Sequence, residues 1–161
     1  MYWVNITVHV LSAIVWLGGM FFFALVGAPV LRSVEPPALR ADLFGRFGRR
    51  FRKVGSTALA VLIVTGVANL HFRGLLHTNV LGSMAFWSTP YGASLAWKLG
   101  SVIVMIAAGA THDALAVRGS RVSATSEEGQ KLRRRGALLA RLAAIAGLVA
   151  VIAAVRLARG G

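Results

Sequence analysis

The sequence contains no cysteine, only five acidic residues, and charged residues at just 14% of its 161 positions. Without cysteine there is no disulfide, no Cys-type zinc site, no iron-sulfur cluster and no thiol nucleophile. Any metal held by this chain must therefore rely on histidine, methionine or oxygen. The scarcity of acids removes hydrolytic chemistry as well. Asp113 is the only acid in an apolar run, it has no carboxylate partner there, and no Ser-His-Asp set can be placed at one depth, so no catalytic residue is assigned. The charged fraction lies well below the roughly 25% of soluble domains.

What is present is apolar and basic. Hydrophobic residues make up 57% of the chain, with a mean hydropathy of +0.69, against roughly 45–50% in ordinary globular domains. The length suits one domain, here a single transmembrane domain over residues 1–161. Four apolar segments, at about residues 3–31, 54–72, 91–117 and 136–157, are each long enough to cross a bilayer core of roughly 20 residues. The fold class is therefore all-α, an integral membrane four-helix bundle. Met1-Tyr2-Trp3 lacks the basic start of a secretory signal, so the first segment is expected to be a retained span.

The net charge of +13 is unevenly placed. Arg32, Arg40, Arg46, Arg49, Arg50, Arg52 and Lys53 lie between the first two spans, and Arg118, Arg121, Lys131, Arg133, Arg134 and Arg135 between the last two. The middle connection has only Arg73. The positive-inside rule then puts both basic connections in the cytoplasm and both termini outside. The charge is a topology signal that also suits anionic lipid. No nucleic-acid partner is expected, because neither loop interleaves aromatic and basic residues.

In the first basic connection, Pro36-Pro37 suits a helix start, and Leu39, Leu43, Phe44, Phe47 and Phe51 fall within about 140° of a helical wheel. This pattern predicts an interfacial amphipathic helix lying on the inner leaflet ahead of span two, though Gly45 and Gly48 weaken it. In the second, Thr125 and Glu128 match a capping box, and Glu127 with Lys131 forms an i,i+4 pair. Span four is thus expected to begin as a helical extension on the inner side.

Two spans carry polar stripes. Asn5, His9, Ser12, Trp16, Gly19 and Phe23 recur at alternating steps of four and three, as do Ser94, Lys98, Ser101, Met105, Ala108 and His112. Polar groups in lipid must be hidden or satisfied, so these stripes should face each other or the bundle interior. Span four has a small-residue seam of Gly136, Ala140, Ala143, Gly147, Ala150 and Ala154, a 3.5-residue period that predicts close, left-handed packing. Met20 and Met105 read as core fillers.

Depth limits which polar groups cooperate. His9 lies about 9 Å along span one and Lys98 about 10 Å along span three, a shared level in the outer half, with His71 expected within a few ångströms of that level. His112 and Asp113 lie about 31 Å along span three, some 20 Å from His9, which argues against His9 and His112 sharing one haem. The outer connection supplies His77 and Met84, and His71 just before it. Imidazole and thioether suit Cu(I), so His9, His71, His77 and Met84 are the candidate metal ligands, with surface positions as the simpler reading of the last three. Trp87 and Tyr91 read as interfacial anchors. Lys98 either snorkels outward or works with His9; His112 with Asp113 is either a proton-handling pair or a solvated structural one.

The stretch from His9 to Gly19, with its histidine, Trp16 and paired Gly18-Gly19, resembles the first helix of the CopD-type copper-resistance membrane proteins. Arg46-Phe47, then Thr65-Gly66-Val67-Ala68-Asn69, and Thr89-Pro90-Tyr91-Gly92 with Leu95 and Lys98-Leu99, look like later motifs of the same family. The resemblance covers residues 9–117. It implies a bacterial inner-membrane, multi-pass protein tied to copper uptake or tolerance, with His9, Trp16, Asn69, Tyr91 and Lys98 as the matched positions. The longer family members have additional helices, so one copy of this chain is short for a complete transport path, and the resemblance implies a homo-oligomer or a periplasmic copper-binding partner as candidates to complete it. His112, fourteen residues after Lys98, is more similar to the HemJ-type protoporphyrinogen oxidases, which implies haem b as the alternative cofactor, with His9, His71, Lys98 and His112 as its candidate residues. The Asn-Glu-Val-Pro segment of those proteins is absent. A structural subunit of a larger membrane complex is the third reading.

Overall fold

A charge-free run ahead of the first arginine gives one long helical segment, interrupted once. In a computed structural model, which describes residues 1–119, 121–122 and 126–160, α1 (Tyr2–Phe22) passes through a π-helical turn (Phe23–Gly27) into α2 (Ala28–Arg32). The wide turn lies just ahead of Pro29, whose ring would clash with the carbonyl four residues back and which has no N–H to give it. A π-turn absorbs that mismatch without ending the helix.

The next helix corrects the expectation of a separate amphipathic helix on the inner leaflet. α3 runs unbroken from Pro37 to Phe72, 36 residues, or about 54 Å at 1.5 Å per residue. That exceeds a bilayer core of about 30 Å, so its basic first half is the extension of span two beyond the core and not a helix lying flat. Gly45 and Gly48 each weaken a helix by about 1 kcal/mol but do not break this one, because the aromatic side chains between and beside them pack on the neighbouring helix. The Phe23 ring meets those of Phe44 and Phe47 at 6.1 and 6.4 Å.

The chain divides into two compact units, Met1–Val80 and Leu81–Gly161. In the first, α1 and α3 are antiparallel. Asn5 lies beside Asn69, His9 beside Thr65, and Gly19 beside Phe51. The stripe read from Asn5 to Phe23 is thus the packing face of α1, and it packs on span two. The approach is closest at Gly19, where a Cβ would come within 2.5 Å of the Phe51 ring. Trp16 and Ala58 are buried in this pair. Leu11, Ile14 and Val64, on outward faces, remain exposed, as lipid-facing residues do when lipid offers no hydrophobic drive for burial.

In the second unit, two short helices, α4 (Thr78–Leu81, at the boundary) and α5 (Met84–Trp87), precede the pair α6 (Pro90–Gly119) and α7 (Glu127–Ala158). The Thr89-Pro90-Tyr91-Gly92 segment has a mechanical role. Thr89 Oγ1 accepts from Gly92 N–H at 3.0 Å, Pro90 opens the helix, and a Cβ at Gly92 would collide with the Phe86 carbonyl. α6 buries Ser94, Leu95, Ser101, Met105 and Ala108, much as its stripe predicts. α7 buries Gly129, Leu132, Ala143, Ala146, Gly147, Ala153 and Leu157. The 3.5-residue period stands, but its line is shifted: Ala140 is exposed, and Ala146 and Ala153 take the centre. Adjacent small residues make both tracks passable, and the leucines at the two ends decide between them. Thr125 lies outside the described residues; the cap on α7 is Ser126, whose Oγ accepts from Gly129 N–H at 3.1 Å, with Glu127 and Glu128 favourably placed in the first turn. Glu127 pairs with Lys131 as expected, and Arg118 with Glu128 at 3.0 Å.

Among the described residues, four helices are long and apolar enough to cross a membrane. The protein is an all-α, multi-pass membrane protein.

Candidate functional site

The most organised polar cluster lies inside the first helical pair. Asn5 and His9 are one helical turn apart on α1, and Thr65 and Asn69 are one turn apart on α3, so antiparallel packing sets two polar rungs face to face. Asn5 Nδ2 donates to Asn69 Oδ1 at 2.8 Å and to the Thr65 backbone carbonyl at 3.0 Å. His9 Nδ1 is 2.8 Å from Thr65 Oγ1. The imidazole lies over Gly66, where a Cβ would touch its Cε1 at 3.5 Å. Thr65 is buried, while Asn5, His9 and Asn69 are half-buried.

The threonine couples its own rotor to the histidine tautomer. Thr65 Oγ1 donates to the Val61 carbonyl at 2.6 Å, the back-bond a helical threonine commonly makes. A hydroxyl has one proton, so when it is given to Val61 the same oxygen accepts from His9 Nδ1–H, and when it is given to His9, Nδ1 accepts. An imidazole whose Nδ1 is held by a hydrogen bond is the usual form of an oriented histidine ligand or proton acceptor.

The other predicted residues fall elsewhere. His71 is on α3, exposed, six residues beyond Thr65, a rise of about 9 Å. The Tyr2–Phe72 ring contact at 5.9 Å places that end of α3 level with the start of α1. The expectation that His71 lies within a few ångströms of the His9 level is therefore corrected, because the register of the pair matches His9 to Thr65. His77, ahead of α4, and Met84, on α5, are both exposed. Ser12 is half-buried and Trp16 buried on the packing face of α1. Lys98, half-buried on α6, belongs to the second unit, as do Ser101, buried in the seam, and Tyr91, half-buried with its ring 6.4 Å from Phe86. His112 Nδ1 is 3.6 Å from Asp113 Oδ1, both about half exposed, and the imidazole faces Gly136, where a Cβ would stand 3.7 Å from it. Among the described residues, no three His, Asp or Glu side chains gather into a metal-binding group.

Thr65 is the functional residue that the sequence reading missed as a partner of His9. Its signal was present: it is the one polar side chain between Thr57 and Asn69, one turn before Asn69. Two grooves in the second unit also went unread. One, of about 250 Å³, lies between Ser94, Trp97, Val149, Ile152, Ala153 and Arg156. The other, also about 250 Å³, runs past His112, Leu132, Arg133 and Gly136.

Comparison with known proteins bears on these residues unevenly. The family model described as Copper resistance protein D matches residues 45–157. The matched stretch includes Thr65, Asn69, Lys98 and His112 and extends through the fourth helix, further than the resemblance read from the sequence, whereas His9 lies ahead of it. An uncharacterized protein of Aquifex aeolicus (strain VF5) is 38% identical over 78 residues, which are 45% of this chain and 53% of the relative. The chain thus spans about half the length of the curated relative it matches. No solved structure matches.

Proposed function

Since the chain belongs to the copper resistance protein D family, we propose that it handles copper at the bacterial inner membrane, with His9 as the intramembrane ligand. The observation that supports this most is the 2.8 Å contact between His9 Nδ1 and Thr65 Oγ1, which orients the ring inside the α1–α3 pair. Copper is the cargo here. The donor set suits Cu(I), for which imidazole and thioether are favourable ligands and cysteine is dispensable. His71, His77 and Met84, exposed on the side that the positive-inside rule assigns to the periplasm, serve as the first contacts for the ion. Asn5 and Asn69 hold the two helices in the register that keeps His9 on Thr65. A second copy of the chain or a periplasmic copper-binding partner completes the path. The basic inner ends of the helices sit against anionic lipid.

Titration of the detergent-purified full chain with Cu(I) tests the reading. Stoichiometric binding that weakens at least tenfold in His9→Ala supports it. No binding, or binding indifferent to that substitution, overturns it. An absorption spectrum of the same preparation should lack a Soret band; a Soret band lost in His9→Ala would assign haem b to this histidine.

A further inference from the structure

All five acids of the chain lie at positions 35, 42, 113, 127 and 128, and 13 of its bases are in the two connections that set orientation. Arg156 and Arg159, at the far end of α7, are not explained by that count. Arg156 lines the groove of about 250 Å³ between α6 and α7, together with Ser94 and Trp97. No carboxylate lines this groove. Ser94 is 3% exposed, and its Oγ is the buried side-chain polar atom that lacks a hydrogen-bond partner among the described residues. An orphaned buried hydroxyl costs about 1–3 kcal/mol unless something else satisfies it.

The geometry points to a binding site for the anionic headgroup of a phospholipid, with its phosphate between Arg156 and Ser94. Guanidinium and hydroxyl are both donors toward a phosphate oxygen, and an Arg–phosphate contact is charge-assisted. The groove also has a polarity along the membrane normal. Arg156 is two residues from the end of α7 and Ser94 four residues from the start of α6, the same end of an antiparallel pair. Val149 lies seven residues deeper, about 10 Å further along the helix, and Ile152 and Trp97 are 62% and 67% exposed. A head that binds donors near the interface and a tail that lies on apolar side chains below is the shape of a lipid; a free phosphate would use only the upper part. The proposal rests on neither His9 nor copper.

Because the basic inner ends attract anionic lipid generally, the test reads this groove alone. Trp97 fluorescence, taken as the difference between the full chain and its Trp97→Phe variant, is titrated with phosphatidylglycerol or phosphatidylcholine brominated on identical acyl chains. Half-quenching is expected at a roughly tenfold lower mole fraction of phosphatidylglycerol, as one charge-assisted hydrogen bond provides. Arg156→Gln should abolish that preference, Ser94→Ala should reduce it by about threefold, and Arg159→Gln should change it by less than about twofold. Far-ultraviolet circular dichroism identifies any variant that fails to fold, and the remaining substitution then decides. Equal quenching by the two lipids, or a preference that survives both Arg156→Gln and Ser94→Ala, overturns the proposal. Recovery of Trp97 fluorescence in millimolar inorganic phosphate would make this a free-anion site and overturn the lipid assignment.

Discussion

His9 Nδ1 and Thr65 Oγ1 are 56 residues apart in sequence and 2.8 Å apart in space. The same hydroxyl lies 2.6 Å from the Val61 carbonyl, so one oxygen ties the imidazole of α1 to the backbone of α3 and fixes the rotation of the ring. An isolated histidine in a span is costly. Here the hydrogen bond to Thr65 offsets part of that cost.

Thr65→Val should separate the positioning role from the ligand role. It removes the hydrogen-bond partner of Nδ1, and we expect Cu(I) affinity to fall by about 10–100-fold, the usual effect of losing a group that orients a ligand. Thr65→Ser should restore most of the affinity. Competition titration against a Cu(I) chelator measures both, and equal affinity in all three chains would show that the hydroxyl does not orient the ligand.

Asn5→Ala should have a smaller effect. It removes two interhelical hydrogen bonds, but such bonds in membrane proteins average about 0.6 kcal/mol and reach about 1.7 kcal/mol. Thermal unfolding in detergent should place the loss below about 2 kcal/mol, with His9 still able to reach Thr65.

Gly18 and Gly19 are adjacent and should respond in opposite directions to alanine. A Cβ at Gly18 meets nothing within 4 Å, whereas one at Gly19 would be 2.5 Å from the Phe51 ring. Gly18→Ala should stabilise by up to about 1 kcal/mol through helix propensity, and Gly19→Ala should destabilise by about 1–3 kcal/mol by forcing Phe51 aside. Melting temperatures that move in the same direction would contradict the α1–α3 packing.

Gly92→Ala and Gly100→Ala form a similar contrast on α6. The first would drive a Cβ into the Phe86 backbone, and the second meets open space. Gly92→Ala should cost at least about 1–3 kcal/mol and make the connection around α5 more susceptible to limited proteolysis. Gly100→Ala should leave the digestion pattern unchanged.

The absence of cysteine makes orientation directly measurable. Single substitutions Ser33→Cys and Met84→Cys place the only thiol at exposed positions in the first and second connections. A membrane-impermeant maleimide applied to the periplasmic face should label Met84→Cys, and should label Ser33→Cys only after the membrane is opened. The reverse pattern would invert the assignment made from the basic residues.

Spans, helix count and the packing face of α1 were legible in the sequence because they depend on local quantities. A charge-free run longer than the bilayer core must be a helix there, and polar or small residues at alternating steps of four and three must share one face of it. That reasoning found Asn5, His9 and Trp16 on one side of α1, and Ser94, Ser101 and Met105 on one side of α6. It misjudged the segment from Leu39 to Phe51, because an amphipathic pattern reports which side of a helix is apolar and not what covers that side. In the structure the cover is Phe23 on the neighbouring helix, and the helix continues straight into the span. It also set His71 near the level of His9, because depth counted from each helix end is uncertain by a turn or more. Register between helices is a pairwise property: it is decided where Gly19 admits Phe51 and where Asn5 meets Asn69. The sequence by itself thus determined how many helices cross, which faces are polar, and that any metal ligand would be histidine, methionine or oxygen. Only the tertiary structure decided that His9 answers to Thr65, since a hydrogen bond requires two groups within about 3 Å and no one-dimensional pattern specifies a distance between helices.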